Sequence, residues 1–172
     1  MADIFNNEKR SEIMRKVKSK KNKSTELRLI DIFKQNGITG WKRNYPVKGH
    51  PDFVFLKEKV AVFVDGCFWH GHDNCKYFRL PKTNIDFWSN KIGRNKERDK
   101  KEQCQLAAMG WHCITIWECQ LKPKIRQQTL AALEYTLCHI YLEDRRIKSY
   151  ETIEEEYSMV AEPVESYGKS NE

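Results

Sequence analysis

The chain has no apolar run long enough to cross a bilayer, no apolar h-region behind its start and no internal repeat. It is charged from Asp3 onward, so neither a secretory signal nor a membrane anchor is expected, and the protein is expected in the cytoplasm. Its 172 residues and 40% hydrophobic content suit one domain with a real core. Outside the C-terminal end, acidic residues are well outnumbered by Lys and Arg. The formal net charge is +7, yet residues 151–172 hold seven Glu against the single Lys169, a local −6 that leaves +13 on residues 1–150. Such basicity, without a membrane span, points to a polyanionic partner, nucleic acid first. Six cysteines in a reducing compartment are expected as metal ligands or packed thiols rather than as disulfides.

Three regions follow from charge and period. Residues 1–23 form a basic arm, in which Ile13, Met14 and Val17 mark a short helical pattern among Arg15, Lys16, Lys18, Lys20, Lys21 and Lys23. It reads either as a solvated arm or as one laid along phosphates. Residues 24–147 form the main domain. Ser24 is a plausible N-cap for a helix with Leu27, Leu29, Ile30 and Phe33 on its apolar face and Gly37 as its C′ residue. Strands are expected at 41–47, 52–56 and 60–65, the last two joined by the turn Lys57-Glu58-Lys59. A polar helix over 85–109, closed by Gly110, precedes a fourth strand over 111–118. Pro123 suits the start of a last helix, with Leu130, Leu133, Leu137 and Ile140 on one face, ending near Arg145. Residues 148–172 are acidic, lack a sustained period and are expected to be disordered. The order implies an α/β sandwich with a mixed sheet flanked by helices.

Chemistry concentrates in residues 60–75, where the Val/Phe alternation of a buried strand runs through Gly66 into Cys67, His70, His72 and Cys75. Cys67, His72, Cys75 and the distant Cys119 make the thiolate and imidazole set that tetrahedral Zn²⁺ prefers. A full Cys3His shell has no open position, so the ion would be structural. His70 is the surplus histidine, suited to acid or base work near neutral pH, or to the ligand role in place of His72. Asp52, at the head of the second strand, has the setting of a carboxylate that holds Mg²⁺ against a phosphate, with Asp65 as a possible second oxygen donor. Taken alone, an Asp there is more often a turn or cap residue. Phe68 and Trp69 are bulky for a glycine-bounded polar loop, and fit either loop packing or a wedge between base steps.

Several runs in order resemble one family. They are Arg10-Ser-x-x-Met14, Pro51-Asp52-Phe53, Gly66-Cys-Phe-Trp-His70, Phe87-Trp88, Lys91-Ile-Gly-x-Asn95-x-Glu97-Arg-Asp99 and Trp117-Glu-Cys119. Together they resemble the very-short-patch-repair (Vsr-type) DNA mismatch endonucleases over about residues 3–145. The resemblance implies a restriction-endonuclease-like, PD-(D/E)xK-type core with a structural Zn²⁺. The implied activity is Mg²⁺-dependent nicking of duplex DNA 5′ to the T of a T:G mispair left by 5-methylcytosine deamination. It implies a bacterial-type monomer, functionally linked to a DNA cytosine-5 methyltransferase. Carried over, Asp52 and the Val64 carbonyl would hold Mg²⁺, His70 would handle the proton of the attacking water, and Glu26 would orient that water or the histidine. Met14, Phe68 and Trp69 would intercalate, and Lys91 and Asn95 would lie near the mispaired bases. Where the best-studied member has Thr-His before the Gly-Cys-Phe-Trp-His run, this chain has Val64-Asp65, which either adds a metal ligand or pairs with His70 and raises its pKa. The alternatives are a restriction-type or structure-specific nuclease on the same scaffold, or a zinc-stabilised binder of distorted DNA that does not cut.

Overall fold

The computed structural model of the chain describes residues 22–160, the last seventeen of them as backbone only, together with Glu8, Lys9 and Glu12. The rest of the basic arm, Met14 included, and residues 161–172 lie outside the described residues.

Helices and strands follow one another as the hydrophobic periods require. Helix α1 (Glu26–Gln35) leads into strands β1 (Trp41–Arg43), β2 (Phe53–Phe55) and β3 (Val60–Asp65). Helix α2 (Ile85–Ala108) then returns the chain to β4 (His112–Trp117), which passes through a 3-10 turn (Glu118–Leu121) into α3 (Arg126–Val160). The sheet has the order β1-β2-β3-β4. The first two pairings are antiparallel, and β3 pairs with β4 in parallel, with Asp65 opposite Trp117. A parallel pair needs a crossover, and α2 supplies it.

The period of two in β3 decides what faces where. Val60, Val62 and Val64 join Phe53, Phe55 and Ile116 in the core under α1 (Leu29, Ile32, Phe33) and α3 (Leu130, Leu133). Leu137 and Ile140 pack against its margin. Phe33 and Trp41 lock edge-on against Phe53, with centroids 5.6 and 5.4 Å away. Phe63 and Asp65 fall on the opposite face, where α2 lies and the cleft described below opens.

Several local expectations need correction. Ser24 is not the N-cap: Thr25 holds that place, while the Ser24 N–H and hydroxyl both turn back to Asn22 Oδ1 at 3.0 Å. Ile32 rather than Leu27 completes the buried face of α1. Strand β1 stops at Arg43, because Asn44 adopts a left-handed φ of 48° that ends the ladder. Helix α3 begins at Arg126 rather than at Pro123, and its backbone does not stop near Arg145 but runs to Val160. Residues 148–160 are therefore helical, not disordered. The Glu-rich run 151–156 lacks a periodic apolar face yet consists mainly of good helix formers, and no Pro or Gly interrupts it before Pro163.

Candidate active site and metal cluster

Two groups of side chains gather where β3 and β4 end together. The first is Cys67, His72, Cys75 and Cys119, whose donor atoms all lie within 4.8 Å of one another. Cys67 Sγ and Cys119 Sγ stand 3.6 and 3.5 Å from His72 Nδ1. A tetrahedral Zn²⁺ with ordinary bond lengths separates a sulfur and a nitrogen donor by about 3.6 Å, so the residues fit that ion. Burial pushes the Cys67 thiol up to about 12 and raises Cys119, whereas at Cys75 hydrogen bonds from the Tyr77 and Phe78 backbone and the neighbouring thiols outweigh burial and lower it; a cation would favour the thiolate form of all three. The imidazole of His72 stacks flat on Trp117, with centroids 4.0 Å apart and planes 2° from parallel. His70 takes no part in this group, and His72 is the histidine that lies among the three thiols. Cys119 sits in the 3-10 turn after β4, and Cys104 and Cys138 are exposed on helices α2 and α3.

The loop bearing Cys67 to Cys75 is fastened to α2. Asn95 Nδ2 donates to the Trp69 carbonyl at 2.8 Å, and Lys96 Nζ to Asp73 at 2.7 Å. Gly71 has φ +59°, and a Cβ there would stand 2.7 Å from both Ile92 Cγ2 and Lys96 Cε, so only glycine lets the loop lie this close.

The second group lines a cleft of about 640 Å³ that brings together Glu26, Asp52, Val64, Asp65, His70 and Asp99. Lys91, Asn95 and Trp69 share its wall. Asp52 stands just before β2, and its Oδ2 accepts the Val64 N–H at 2.8 Å. Burial raises its carboxyl to about 6, with Glu26 and Asp65 adding to the effect and the Val64 bond opposing it. Burial likewise raises Asp65 to about 6. Glu26 opens α1 and is only 5% exposed. Its Oε1 accepts a hydrogen bond from Arg43 Nε, the end residue of β1.

His70 is held on its Nδ1 side by two acids, with Asp99 Oδ2 at 2.6 Å and Asp65 Oδ1 at 3.6 Å. Burial alone would lower its pKa, but the Asp99 hydrogen bond and the two carboxylate charges outweigh it and raise it. Asp99 shows the converse: burial opposes ionisation, the bond from His70 favours it, and the net is a lowered pKa. Arg98 donates to the other oxygen of Asp99 at 2.9 Å. Asp65, His70 and Asp99 also bring their donor atoms within 4.8 Å of one another.

The sequence singles out Asp52, Asp65, His70 and Glu26 but gives no part to Asp99 or Arg43. A signal for Asp99 is present: Lys91, Asn95 and Asp99 are spaced by four and line one stripe of α2, which the mixed charge of that helix disguises. No pattern marks Arg43. Phe68 and Trp69 are half-buried and pack on each other and on Trp88, with centroids 5.2, 5.3 and 6.0 Å apart, while Phe87, 60% exposed, caps the group. Packing and an outward-facing aromatic edge therefore coexist. Met14 lies outside the described residues.

A family profile described as DNA mismatch endonuclease Vsr matches residues 2–76. The DNA mismatch endonuclease Vsr of Escherichia coli is 34% identical over 141 residues, covering 80% of this chain and 89% of its own length. The chain belongs to the Vsr family of DNA mismatch endonucleases. Within the family, the type II nicking enzyme V.NmeAIP of Neisseria meningitidis is 44% identical over 124 residues, covering 72% of this chain and 87% of that protein. The type II nicking enzyme V.XorIIP of Xanthomonas oryzae is 36% identical over 140 residues, covering 81% and 97%. The four-stranded mixed sheet with its helices agrees with a Vsr nuclease fold, and among the described residues no helix is long and apolar enough to cross a membrane.

Proposed function

We propose that this protein nicks one strand of duplex DNA on the 5′ side of the T in a T:G mispair, using Mg²⁺ in the cleft and Zn²⁺ as a structural staple. The observation that carries this reading is the cleft itself, where half-buried Asp52 stands with Glu26, Asp65 and a doubly flanked His70. A binding module for distorted DNA needs none of these. The sheet and its Asp52-bearing strand are read as a restriction-endonuclease-like core of the PD-(D/E)xK type.

The donor set fits a hard divalent cation, because carboxylate oxygens cluster there with raised pKa values and without a matching number of resident cations. Asp52 would hold it, with the Val64 carbonyl beside it and Asp65 close enough to share its charge. When bound, Mg²⁺ polarises the scissile phosphate and makes the attacking water more acidic. The chain supplies the rest. Asp52 keeps one oxygen fixed by the Val64 N–H and leaves the other for the cleft. With Nδ1 engaged by Asp99, His70 keeps Nε2 to take the proton of the attacking water. Asp99 and Asp65 stabilise the imidazolium so formed, as a carboxylate does in other acid–histidine pairs. Glu26, held by the hydrogen bond from Arg43, orients water within the same cleft. Phe68 and Trp69 would enter the base stack, with Met14 from the arm, and Lys91 and Asn95 would lie near the mispair.

A cytosine-5 methyltransferase acting on the same DNA would create the lesion by supplying 5-methylcytosine, whose deamination leaves T opposite G. The relatives named type II nicking enzymes favour a second setting, in which that methyltransferase belongs to a restriction system. Every cleft residue comes from one chain, which supports a monomer as the acting unit. The deciding experiment compares nicking of a T:G duplex and of its T:A counterpart, with and without Mg²⁺. Nicking confined to T:G with Mg²⁺ supports the proposal; equal cutting of both would leave a nuclease without mismatch specificity.

A further inference from the structure

The cleft is acidic, lined by Glu26, Asp52, Asp65, Asp99 and Glu102. A phosphodiester approaching it meets like charge that bound cations only locally offset. The grip on a duplex must come from surface outside it. Most cations near the cleft are already paired, Arg43 with Glu26, Arg98 with Asp99 and Lys96 with Asp73, which leaves Lys91 on its wall.

Two short segments carry positive charge and no acid. Residues 76–82 hold Lys76, Arg79 and Lys82, and residues 122–126 hold Lys122, Lys124 and Arg126. Though far apart in sequence, they begin at the same place. The donors of Cys75 and Cys119 converge. Turns closed by the Phe78 N–H to the Cys75 carbonyl (3.0 Å) and the Lys122 N–H to the Cys119 carbonyl (3.3 Å) then lead both segments off the cluster. Lys122 Nζ lies 3.5 Å over the Tyr77 ring, and Lys76 Nζ is 5.2 Å from the same centroid. The ring thereby gathers two ammonium groups around itself. Among the described residues, none of the six cations forms an ion pair with a carboxylate. Because Asp65 stands opposite Trp117 in the parallel pair, this basic shelf and the cleft share one end of the sheet.

We propose that Lys76 and Lys122, supported by Arg79 and Lys124, form a DNA-binding surface that holds the sugar-phosphate backbone of the duplex beside the cleft without reading base identity. It rests on the reading of the chain as a DNA endonuclease, but its test needs binding alone.

Fluorescence anisotropy on a labelled T:G duplex and its matched T:A counterpart, across a salt series without added divalent cation, is the measurement. Lys76→Gln/Lys122→Gln should weaken both duplexes by the same factor. It should also lower the slope of log affinity against log salt by about 2, at roughly 0.9 for each phosphate that the variant no longer neutralises. The control is Lys57→Gln/Lys59→Gln in the β2–β3 hairpin, at the opposite end of β3, which should leave the slope unchanged. An unchanged slope in the shelf variant, an equal fall in the control, or a weakening confined to the mismatched duplex would overturn the proposal. Arg79→Gln/Lys124→Gln, which spares the contacts to Tyr77, gives the same readout should the first pair disturb folding, as thermal unfolding would reveal. Failure of the mismatch reading looks different: both duplexes would be nicked equally while the salt slope still fell in the shelf variant.

Discussion

His70 Nδ1 lies 2.6 Å from Asp99 Oδ2 and 3.6 Å from Asp65 Oδ1, so the acid on helix α2 is the nearer partner and the acid that ends β3 is the second. That contact helps raise the pKa of His70 and lower that of Asp99 against the burial of each, with Asp65 adding to the first and Arg98 to the second.

Asp99→Asn should therefore lower the pKa of His70, and Asp65→Asn should lower it less. Titration of the ring protons by NMR separates the two, and equal shifts would place the second acid on a par with the first. For stability, the raised histidine contributes fully below its unfolded value of about 6.5, and that contribution is lost as pH rises through the folded value. The lowered Asp99 contributes above about 3.9, and its share is lost as pH falls through the folded value. The pair thus stabilises most between about pH 4 and 6.5, and Asp99→Asn should flatten this part of the profile. His70→Ala should reduce single-turnover nicking by roughly 10² to 10⁴, the usual worth of a positioned base.

Asp52→Asn should abolish nicking yet make the metal-free protein more stable at neutral pH. A carboxyl raised to about 6 from about 3.9 in the unfolded chain costs stability above about pH 6, and that cost disappears below about pH 4. Neutralising it should gain on the order of 1–3 kcal/mol, read as a higher urea midpoint at pH 7 whose advantage shrinks at pH 4. Added Mg²⁺ should raise the melting temperature of the wild type but not of the variant. A variant less stable at both pH values, with full activity, would leave Asp52 a structural residue.

Elemental analysis should find about one zinc per chain, as a closed four-donor site requires. Cys67→Ser or His72→Ala should lose the metal and unfold at markedly lower temperature, whereas Cys104→Ser, at an exposed position of α2, should do neither. A metal-free wild type with a fully stable Cys67→Ser variant would refute the staple.

Gly71→Ala tests how tightly the loop is fastened to α2. The added methyl would meet Ile92 and Lys96 at 2.7 Å with φ held at +59°. A loss of about 1–3 kcal/mol in urea unfolding is expected from overpacking and backbone strain together. Lys96 can swing away but Ile92 is buried, so most of the loss should persist in a Lys96→Ala background.

The element order, the mixed sheet and the apolar faces of α1 and α3 are legible because burial imposes a period of two or 3.6 on the sequence. The Cys and His spacing announces the candidate metal cluster, but only the fold shows which histidine lies beside the three thiols, since that depends on where the loop turns after Gly66. Asp99 escapes notice because its helix alternates charges that read as a solvated face, and its importance comes from a loop twenty-nine residues away. Arg43 carries no local signature at all, as its role arises from a strand end meeting a helix start. The end of α3 is hidden because a loss of apolar period looks the same in the sequence as a loss of helix.

The parallel pairing that sets Asp65 opposite Trp117 also works as a gauge with a tolerance of less than one residue. Side chains alternate along β3, so a single-residue slip would turn the Asp65 carboxylate into the oily layer under α1 and push the Val64 methyls into the cleft. An insertion or deletion of one residue inside either strand would silence the enzyme while leaving its composition and net charge almost untouched.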